Sequence, residues 1–532
     1  MKSADSGKTV SANRGSTKDS NTVTIDLSIP EEFCGPDEVG SLFQASSLPV
    51  SQKGDTSPPA IKESKCTDLA NGQRFAQQWS GKAKFVPAWG VWLVWDGTRW
   101  AKDDLKSVVE LAKKTARSIY KEASRSESDK ELESLVKWAK LSAGADGIRR
   151  MLSMASSDPR LVARASDFDG DPYLLNTPAG TINLRTGELM AHKPSDMLTK
   201  ITTVAPGTGN APRWDAFLTE TFGGQEDLIG YVQRMLGYSL LGTVREHILP
   251  ICWGSGANGK STLFETVQSV LGEYAAPADP NLLLAKRQDA HPTGIADLQG
   301  LRFVTCQETG QNRALDEAGV KNLTGGTERK ARVMRGDFFR YIPSDTIWLA
   351  TNHLPTIRNT DQGIWRRLKL IPFTNEVPPE KQDPDLTEKL TKGEGASILT
   401  WLVEGCLAYL QEGLGQCKAV TDATANYRSE SDLIGQFINE RCEKDVNAVV
   451  LGSALFRGYV EWAQQSHVRI LDKNSFAREI EERGFKKVRR NTGSNYLGLE
   501  LIDIDILEGK WAAKESAPEP KVTDIDELIN AA

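Results

Sequence analysis

The sequence ICWGSGANGKSTLFETVQSVL, at residues 251–271, decides the fold expected for the rest of the chain. Residues 254–261 fill every fixed position of the pattern G-x-x-x-x-G-K-[ST]. Glycines in this pattern let the backbone curl so that successive N–H groups point at one phosphate. The apolar run 247–253 predicts a strand before the loop, and apolar residues at helical spacing from Leu263 to Leu271 predict a helix after it. This order of strand, loop and helix places an anion site at the helix N-terminus.

The loop predicts a nucleotide site. A Gly-rich loop that matches the pattern by chance is the alternative, and the flanking strand and helix disfavour it. Lys260 is placed to reach the β- and γ-phosphates, and Ser261 to ligate Mg²⁺. The residues expected to contact the nucleotide are Gly254, Ser255, Gly256, Ala257, Asn258, Gly259, Lys260, Ser261 and Thr262.

Composition argues against several other classes of protein. The 532 residues carry a net charge of −6, which disfavours a general affinity for nucleic acid but leaves room for a local basic groove. Seven cysteines without a C-x-x-C pair and five scattered histidines predict neither a disulfide framework nor a metal cluster. No apolar run approaches ~18 residues and the N-terminus lacks an apolar signal core, so we expect a cytosolic protein without a membrane span.

Two further apolar runs end in polar residues that suit a nucleotide site. Residues 301–306, LRFVTC, are followed by Gln307 and Glu308, and residues 346–351 are followed by Asn352. A carboxylate beside a phosphate loop can hold Mg²⁺ through water and align the attacking water. An amide at the carboxyl end of a strand lies where a doubly wound sheet presents its ligand contacts.

Two basic stretches are candidates for contacts with phosphate. Arg366 and Arg367 precede the strand-like run 368–373 and are either ordinary surface residues or an arginine finger for a γ-phosphate. Residues 328–342, ERKARVMRGDFFRYI, alternate apolar and charged residues around a turn and predict a hairpin. The residues alone fit equally a contact with the backbone of single-stranded nucleic acid and a solvated edge hairpin. The candidate DNA-binding residues of this hairpin are Lys330, Arg332, Arg335 and Phe338.

The N-terminal part is rich in tryptophan. Residues 85–100, FVPAWGVWLVWDGTRW, predict strands with a turn at Asp96 and Gly97. Their aromatic rings either form the core of a small sheet, the interpretation we favour, or stack on bases. Residues 103–123 and 129–153 predict helices by their apolar period.

Helices followed by a basic hairpin near the C-terminus predict a winged helix. Residues 485–490 form a basic strand, and residues 496–502 form a second strand after a turn. This charge pattern suits DNA phosphates, and a winged helix that binds protein is the alternative. The candidate DNA-binding residues are Lys486, Lys487, Arg489 and Arg490.

Together these motifs resemble those of the superfamily 3 helicases, most of all the phage and plasmid primase-helicases related to poxvirus primase-helicases. The resemblance rests on GSGANGKST, the acid after LRFVTC, LDEAGVKNLTGGTERKARVMRGDFF, IWLATNHLP and GIWRRLKLIPF. Upstream, WLVWDGTRW and DFDGDPYLLNTPAGTINLRTGEL resemble the helicase-associated N-terminal domain of that group. The similarity spans roughly residues 75–373, with a looser likeness to a winged helix beyond.

The resemblance implies an AAA+-like ring, usually a hexamer, that uses ATP and Mg²⁺ to track along one DNA strand, typically 3′ to 5′. The basic hairpin then corresponds to a DNA-translocating hairpin, and one arginine of the adjacent pair to a finger acting on a neighbour's ATP. Lys260 and Ser261 (or Thr262) correspond to Walker A ligands. Glu308 corresponds to the Walker B acid and Asn352 to the polar sensor. The catalytic residues implied are Lys260, Glu308, Asn352, Arg366 and Arg367, and the Mg²⁺ ligands implied are Ser261 and Glu308.

Two features depart from the family pattern. Many superfamily 3 members carry two acids at Walker B, whereas Gln307 occupies the first place here. Many relatives carry a priming domain upstream, whereas here only about 66 residues, polar and typical of disorder, precede the helicase-associated region. We therefore expect a helicase without a primase, with a separate primase or other replication proteins as partners.

The expected fold class is α/β, with an AAA+-like P-loop NTPase core, a mixed α+β N-terminal domain and a C-terminal winged-helix domain. The expected segments are a disordered arm (1–66), the helicase-associated domain (67–205), a helical collar (206–245), the superfamily 3 ATPase core (246–375), a helical lid or linker (376–430), the winged-helix-like domain (431–506) and an acidic disordered tail (507–532).

The expected function is that of an ATP-dependent DNA helicase for phage, prophage or plasmid replication in the cytosol of a bacterial host. It would bind single-stranded or forked DNA as a homo-hexamer, and we expect no association with a membrane. One alternative is an origin-binding initiator ATPase that does not unwind processively. A second alternative is a small-molecule phosphotransferase with a phosphate loop and an arginine lid.

Overall fold

The structure, a computed structural model, describes residues 64–285, 293–307, 313–333, 336–357, 362–491 and 493–502. The predicted site residues Glu308 and Arg335 lie outside the described residues, as does nearly all of the predicted arm and tail. The described residues form a mixed α/β fold that contains a parallel sheet, as the sequence predicts at this coarser level. No described helix combines the length and the apolar character needed to cross a membrane.

The N-terminal part packs four helices against a small antiparallel sheet whose core is aromatic. Asp96 joins the second and third strands by accepting hydrogen bonds from the backbone N–H groups of Thr98 (2.7 Å) and Arg99 (2.9 Å). Trp100 is only 1% exposed, which confirms that this ring packs in the sheet core, whereas Trp89 is 41% exposed. The elements are α1 (Asp68–Trp79), β1 (Ala83–Val86), β2 (Val91–Trp95), β3 (Trp100–Lys102), α2 (Ser107–Ala123), α3 (Asp129–Ser142) and α4 (Ala145–Ala155).

Two helix predictions in this part were wrong in their bounds. Helix α2 begins at Ser107 rather than at residue 103, because both carboxylate oxygens of Asp103 cap the N–H groups of Ser107 and Val108 from outside the helix. The single helix predicted over 129–153 is two helices, α3 and α4, with extended backbone at Gly144 between them. A Cβ on Gly147 would lie 2.7 Å from the Cα of Ser142, so the corner between α3 and α4 requires glycine at residue 147.

An antiparallel meander then connects the N-terminal part to the central sheet. The turn predicted at residues 185–188 joins its second and third strands. Arg302, at the entrance of a central strand, donates to the carbonyl oxygens of Leu174 (2.7 Å) and Leu240 (2.6 Å) and ties the layers together. The elements are β4 (Leu174–Thr177), β5 (Gly180–Asn183), β6 (Glu188–Met190), α5 (Pro212–Thr221) and α6 (Glu226–Tyr238).

Five parallel strands form the central sheet, in the spatial order β13-β7-β12-β9-β8. Its inner strands are buried on both faces, which explains their continuous apolar sequences. A basic hairpin, β10–β11, lies in the chain between β9 and β12 and confirms the hairpin prediction. The elements are β7 (Leu249–Trp253), α7 (Lys260–Leu271), β8 (Ala275–Ala278), α8 (Thr293–Ala296), β9 (Phe303–Gln307), α9 (Glu317–Leu323), β10 (Arg329–Arg332), β11 (Phe338–Tyr341), β12 (Thr346–Thr351), α10 (Gln362–Trp365) and β13 (Leu368–Pro372).

A helix of 27 residues, α11 (Leu386–Glu412), crosses the helical layer beside the sheet. It meets α6 at a glycine contact, since a Cβ on Gly237 would lie 2.1 Å from the backbone nitrogen of Cys406. The carboxylate of Glu394 accepts from the N–H groups of Arg213 (3.1 Å) and Trp214 (2.9 Å) and so caps the start of α5.

The C-terminal part has a hydrophobic core of its own. Its main sheet has the order β15-β17-β16, and the basic strand β16 pairs antiparallel with β17. The strand predicted over 496–502 is instead two strands separated by Gly498, whose φ of 89° breaks the extended conformation. The elements are α12 (Lys418–Ser431), α13 (Leu433–Arg441), β14 (Cys442–Glu443), β15 (Val449–Leu451), α14 (Gly452–Gln465), α15 (Lys473–Glu482), β16 (Lys487–Arg490), β17 (Gly493–Leu497) and β18 (Glu500–Leu501).

Candidate nucleotide and nucleic-acid sites

The loop between β7 and α7 curls tightly at the carboxyl end of the central sheet. Ala257 (φ 48°) and Gly259 (φ 80°) both have positive φ, and α7 begins directly after them at Lys260. A Cβ on Gly254 would lie 2.2 Å from the carbonyl oxygen of Phe373, so only glycine lets the loop pass this close to β13. The loop therefore directs the start of a helix, with its unpaired N–H groups, toward one point in space.

Lys260 and Asn258 form a buried polar pair inside the loop. The Lys260 ammonium donates to the carbonyl oxygen of Gly254 (2.8 Å) and to Oδ1 of Asn258 (2.8 Å). Nδ2 of Asn258 donates in turn to the carbonyl oxygen of Phe373 (2.9 Å), at the end of β13. Burial lowers the pKa of Lys260 below the ordinary lysine value. This ammonium gains from an anionic neighbour, because an anion would offset its loss of hydration.

The outer wall of the loop is formed by the segment that follows β13. The Ser255 hydroxyl donates to the Glu376 carboxylate, and the Val377 N–H donates to the carbonyl oxygen of Ala257 (2.8 Å). Sequence reasoning missed the contact of Glu376, and no local pattern signals it, because Glu376 lies 121 positions from Ser255. Ser261 is exposed beside the loop and remains available as a ligand.

The carboxyl ends of β12 and β9 lie next to this loop. Thr351 is in register with Trp253, and Ala350 with Gln307, so the three strands end at one edge. The Gly254 N–H donates to the carbonyl oxygen of Thr351 (3.4 Å), which places the exposed Asn352 immediately beside the loop. Gln307 is exposed at the same edge. The sequence-predicted residues Lys260, Ser261 and Asn352 therefore lie at one edge of the sheet, and Gln307, which was not a predicted site residue, lies at the same edge.

Arg366 and Arg367 lie at the opposite, amino edge of the sheet. They directly precede β13, whose first residue, Leu368, is in register with Leu249 at the start of β7. Arg367 is held within the chain, where its guanidinium donates to Thr324 Oγ1 (3.2 Å) and to the carbonyl oxygen of Gly363 (2.6 Å). Arg366 is exposed. The structure thus separates the two arginines by environment, which the sequence could not do.

The basic hairpin presents charge around an aromatic ring. Phe338 is 53% exposed, with Lys330 Nζ 4.3 Å and Arg332 Cζ 5.3 Å from its ring centroid. Arg340 pairs with Glu328 (3.0 Å), and Arg329 is buried, so neither is as available as Lys330 and Arg332. The ring and these two cations form one exposed surface, which suits stacking on a base together with contact to phosphate.

The C-terminal hairpin β16–β17 presents a second basic surface. Lys487 pairs with Glu481 of α15 (3.0 Å), and this contact raises the pKa of Lys487. Lys486, Arg489 and Arg490 are exposed. This hairpin belongs to the C-terminal core, so the chain carries two basic surfaces on different substructures.

Comparison with known proteins identifies the N-terminal part. Residues 72–223, from α1 to just beyond α5, match a family model described as D5 N terminal like. This part of the chain is therefore similar to D5 N terminal like domains. This region contains both upstream motifs on which the resemblance to poxvirus-related primase-helicases rests, and the match confirms that resemblance.

Several curated proteins that resemble the chain come from viruses. A candidate helicase of Acanthamoeba polyphaga mimivirus is 25% identical over 394 residues, which cover 66% of this chain and 40% of that protein. A candidate primase of African swine fever virus is 24% identical over 330 residues, covering 56% of this chain and 34% of that protein. The chain thus spans well under half the length of the curated relatives it matches. Among solved structures, the apo C-terminal region of NrS-1 is 11% identical with a TM-score of 0.45, covering 82% of this chain and 99% of that one.

Proposed function

We propose that this D5-like chain is an ATP-dependent DNA helicase that acts in replication of a virus, phage or plasmid. The observation that carries the proposal is the position of the basic hairpin. It lies in the chain between β9 and β12, the two strands that end beside the phosphate loop. A change in nucleotide state at those strand ends would therefore move a surface that suits DNA.

The proposed nucleotide site belongs to an AAA+-like P-loop core. The N–H groups of the loop and the Lys260 ammonium would hold the phosphates of ATP, with Ser261 and Glu308 as ligands of Mg²⁺. Mg²⁺ supplies charge neutralisation at the phosphate oxygens when it is bound. Asn352, exposed beside the loop, would orient the attacking water together with Glu308. Gln307 lies where many superfamily 3 members have the first of two acids, so Glu308 would be the one carboxylate that serves both the metal and the water.

The position of Arg366 supports a ring, which we take to be a homo-hexamer. An arginine at the amino edge of the sheet lies at the opposite end of β13 from the loop of its own chain, and a head-to-tail ring would bring it to the loop of a neighbour. In this arrangement Lys330, Arg332, Arg335 and Phe338 of each copy would line a channel for single-stranded DNA. Other replication proteins would act together with this ring, and the host cytosol is the proposed site of action.

A second candidate is an origin-binding initiator ATPase, which the C-terminal hairpin favours. Lys486, Arg489 and Arg490 are exposed on β16–β17, far in sequence from the nucleotide site. Helices α13, α14 and α15 with this hairpin would form a winged helix that holds duplex DNA through its phosphates. An initiator of this kind would bind and melt an origin without processive unwinding.

ATP hydrolysis with and without single-stranded DNA tests the proposal, with wild type and Lys260→Ala compared side by side. We expect hydrolysis that DNA stimulates and that Lys260→Ala abolishes, followed by displacement of a strand from a forked substrate. Stimulation without displacement would favour the initiator. Hydrolysis indifferent to DNA would refute a DNA motor and favour a phosphotransferase.

A further inference from the structure

A chain of hydrogen bonds, buried except for the partly buried one at Arg367, connects the arginine pair to the base of the basic hairpin. Arg367 donates through Nε to Thr324 Oγ1 (3.2 Å), and the same hydroxyl donates to the carbonyl oxygen of Val320 (2.7 Å) in α9. Thr324 is 4% exposed and is the C-cap residue of α9. One turn of α9 is therefore held at this end by Arg367.

The same turn of α9 is held from the other side by the first residue of the hairpin. Arg329 donates through Nη2 to the carbonyl oxygen of Leu323, the last residue of α9, and through Nη1 to Oδ1 of Asp345 (2.7 Å). The side chains of Arg329 and Asp345 are 6% and 0% exposed. Both arginines thus bind the C-terminal end of α9, where cations are favoured by the helix dipole.

Strands β11 and β12 are joined to the same network of hydrogen bonds. Tyr341 is paired with Arg329 across the hairpin and donates to the carbonyl oxygen of Ile295 (2.6 Å). Asp345 directly precedes β12, whose far end carries Asn352. Movement of the hairpin base therefore displaces groups that contact α9 and β12, because the buried bonds leave little slack.

We infer that Thr324 is a positioning residue that couples the basic hairpin to the arginine pair through the C-terminal turn of α9. The inference rests on the proposed function and names how DNA in one copy acts on a nucleotide held by its neighbour. When DNA displaces the hairpin, Arg329 shifts the end of α9, Thr324 shifts Arg367, and the adjacent Arg366 advances or withdraws. Thr324 itself contacts neither DNA nor nucleotide.

The test compares Thr324→Val, which keeps the shape of the side chain but removes the hydroxyl, with Thr324→Ser, which keeps the hydroxyl. We expect Thr324→Val to retain its hydrolysis without DNA and its affinity for single-stranded DNA, while stimulation by DNA falls about tenfold. Thr324→Ser should restore the stimulation. Thermal unfolding of the two variants shows whether each is folded.

A wild-type level of stimulation in Thr324→Val would overturn the inference while leaving the helicase proposal intact. An equal loss of hydrolysis with DNA and without DNA in a folded variant would also overturn the inference, since the hydroxyl would then serve hydrolysis itself. Wild-type protein whose hydrolysis ignores DNA would refute the proposed function instead. If Thr324→Val does not fold, hydrogen exchange on the wild type decides. DNA should change exchange at residues 316–327, and protection confined to residues 328–342 would refute the coupling.

Discussion

Separate substitution of Lys260 and Arg366 tests whether two subunits build one active site. The register of β7 with β13 runs from Leu249 and Leu368 to Trp253 and Pro372, so about 13 Å of strand separates the arginine edge from the loop edge. Arg366 in one chain is therefore expected to act on nucleotide held by another chain. Lys260→Ala and Arg366→Ala should each be inactive alone and active when mixed.

The expected loss of hydrolysis in Arg366→Ala, and the fraction recovered in the mixture, follow from the shared interfaces of a ring. An arginine finger contributes roughly 10³–10⁵-fold to hydrolysis, so Arg366→Ala alone should lose at least about a thousandfold. In a 1:1 mixture, an interface works only when its loop comes from the Arg366→Ala chain and its arginine from the Lys260→Ala chain. Random assembly gives this combination at roughly one interface in four, so about a quarter of wild-type hydrolysis should return.

Phosphate release in saturating single-stranded DNA measures this recovery, after the variants are mixed before assembly. A chain with both substitutions, mixed with Lys260→Ala, has no intact loop at any interface and sets the background. Recovery no greater than this background, in mixtures shown to co-assemble, would refute the shared site. Full activity of Arg366→Ala alone would refute the role of that arginine.

Three further predictions concern single sites. Gly254→Ala places a Cβ 2.2 Å from the carbonyl oxygen of Phe373, so it should lower the free energy of unfolding by about 1–3 kcal/mol and abolish ATP binding in calorimetry. Gly81→Ala is the control and should do neither, because a Cβ added there has no described atom within 4 Å apart from those of its chain neighbours. Phe338→Ala should weaken binding of single-stranded DNA roughly tenfold in fluorescence anisotropy, and unaltered affinity would exclude the ring as a contact. Because burial lowers the pKa of Lys260, its ammonium should lose its proton at a lower pH than an exposed lysine does. ATP affinity should fall over the same pH range, and an affinity that stays constant up to about pH 10 would contradict this.

Local patterns predicted those parts of the fold that depend on neighbours in sequence. The loop between β7 and α7 is specified by fixed glycines, and the hairpin around residue 336 by alternation about a turn. The predicted ends of helices were wrong where a specific contact sets them. Asp103 caps the start of α2, and a close backbone contact at Gly147 forms the corner between α3 and α4. The roles of Glu308 and Arg335 stay predictions, because these residues lie outside the described part of the chain.

Contacts between distant residues left no pattern to detect. The spatial order of the central strands differs from their order in the chain, and nothing local encodes it. Arg302 lies inside a run that looks apolar, yet it is buried and donates to carbonyls of two other elements. Thr324 offered no signal, because its importance arises only from the arginine that folding brings to its hydroxyl.

The contact between α6 and α11 has a consequence for how the protein is made. Helix α6 ends at Tyr238 and its buried face, which includes Val232 and Met235, packs against a helix that begins only at Leu386. A ribosome adding 5–20 residues per second needs roughly 7–30 s to supply the intervening ~150 residues. During that interval the part of the apolar face that packs against α11 is uncovered and open to chaperones. A nascent chain that stalls before α11 would expose it permanently, and aggregation or degradation would be its expected fate.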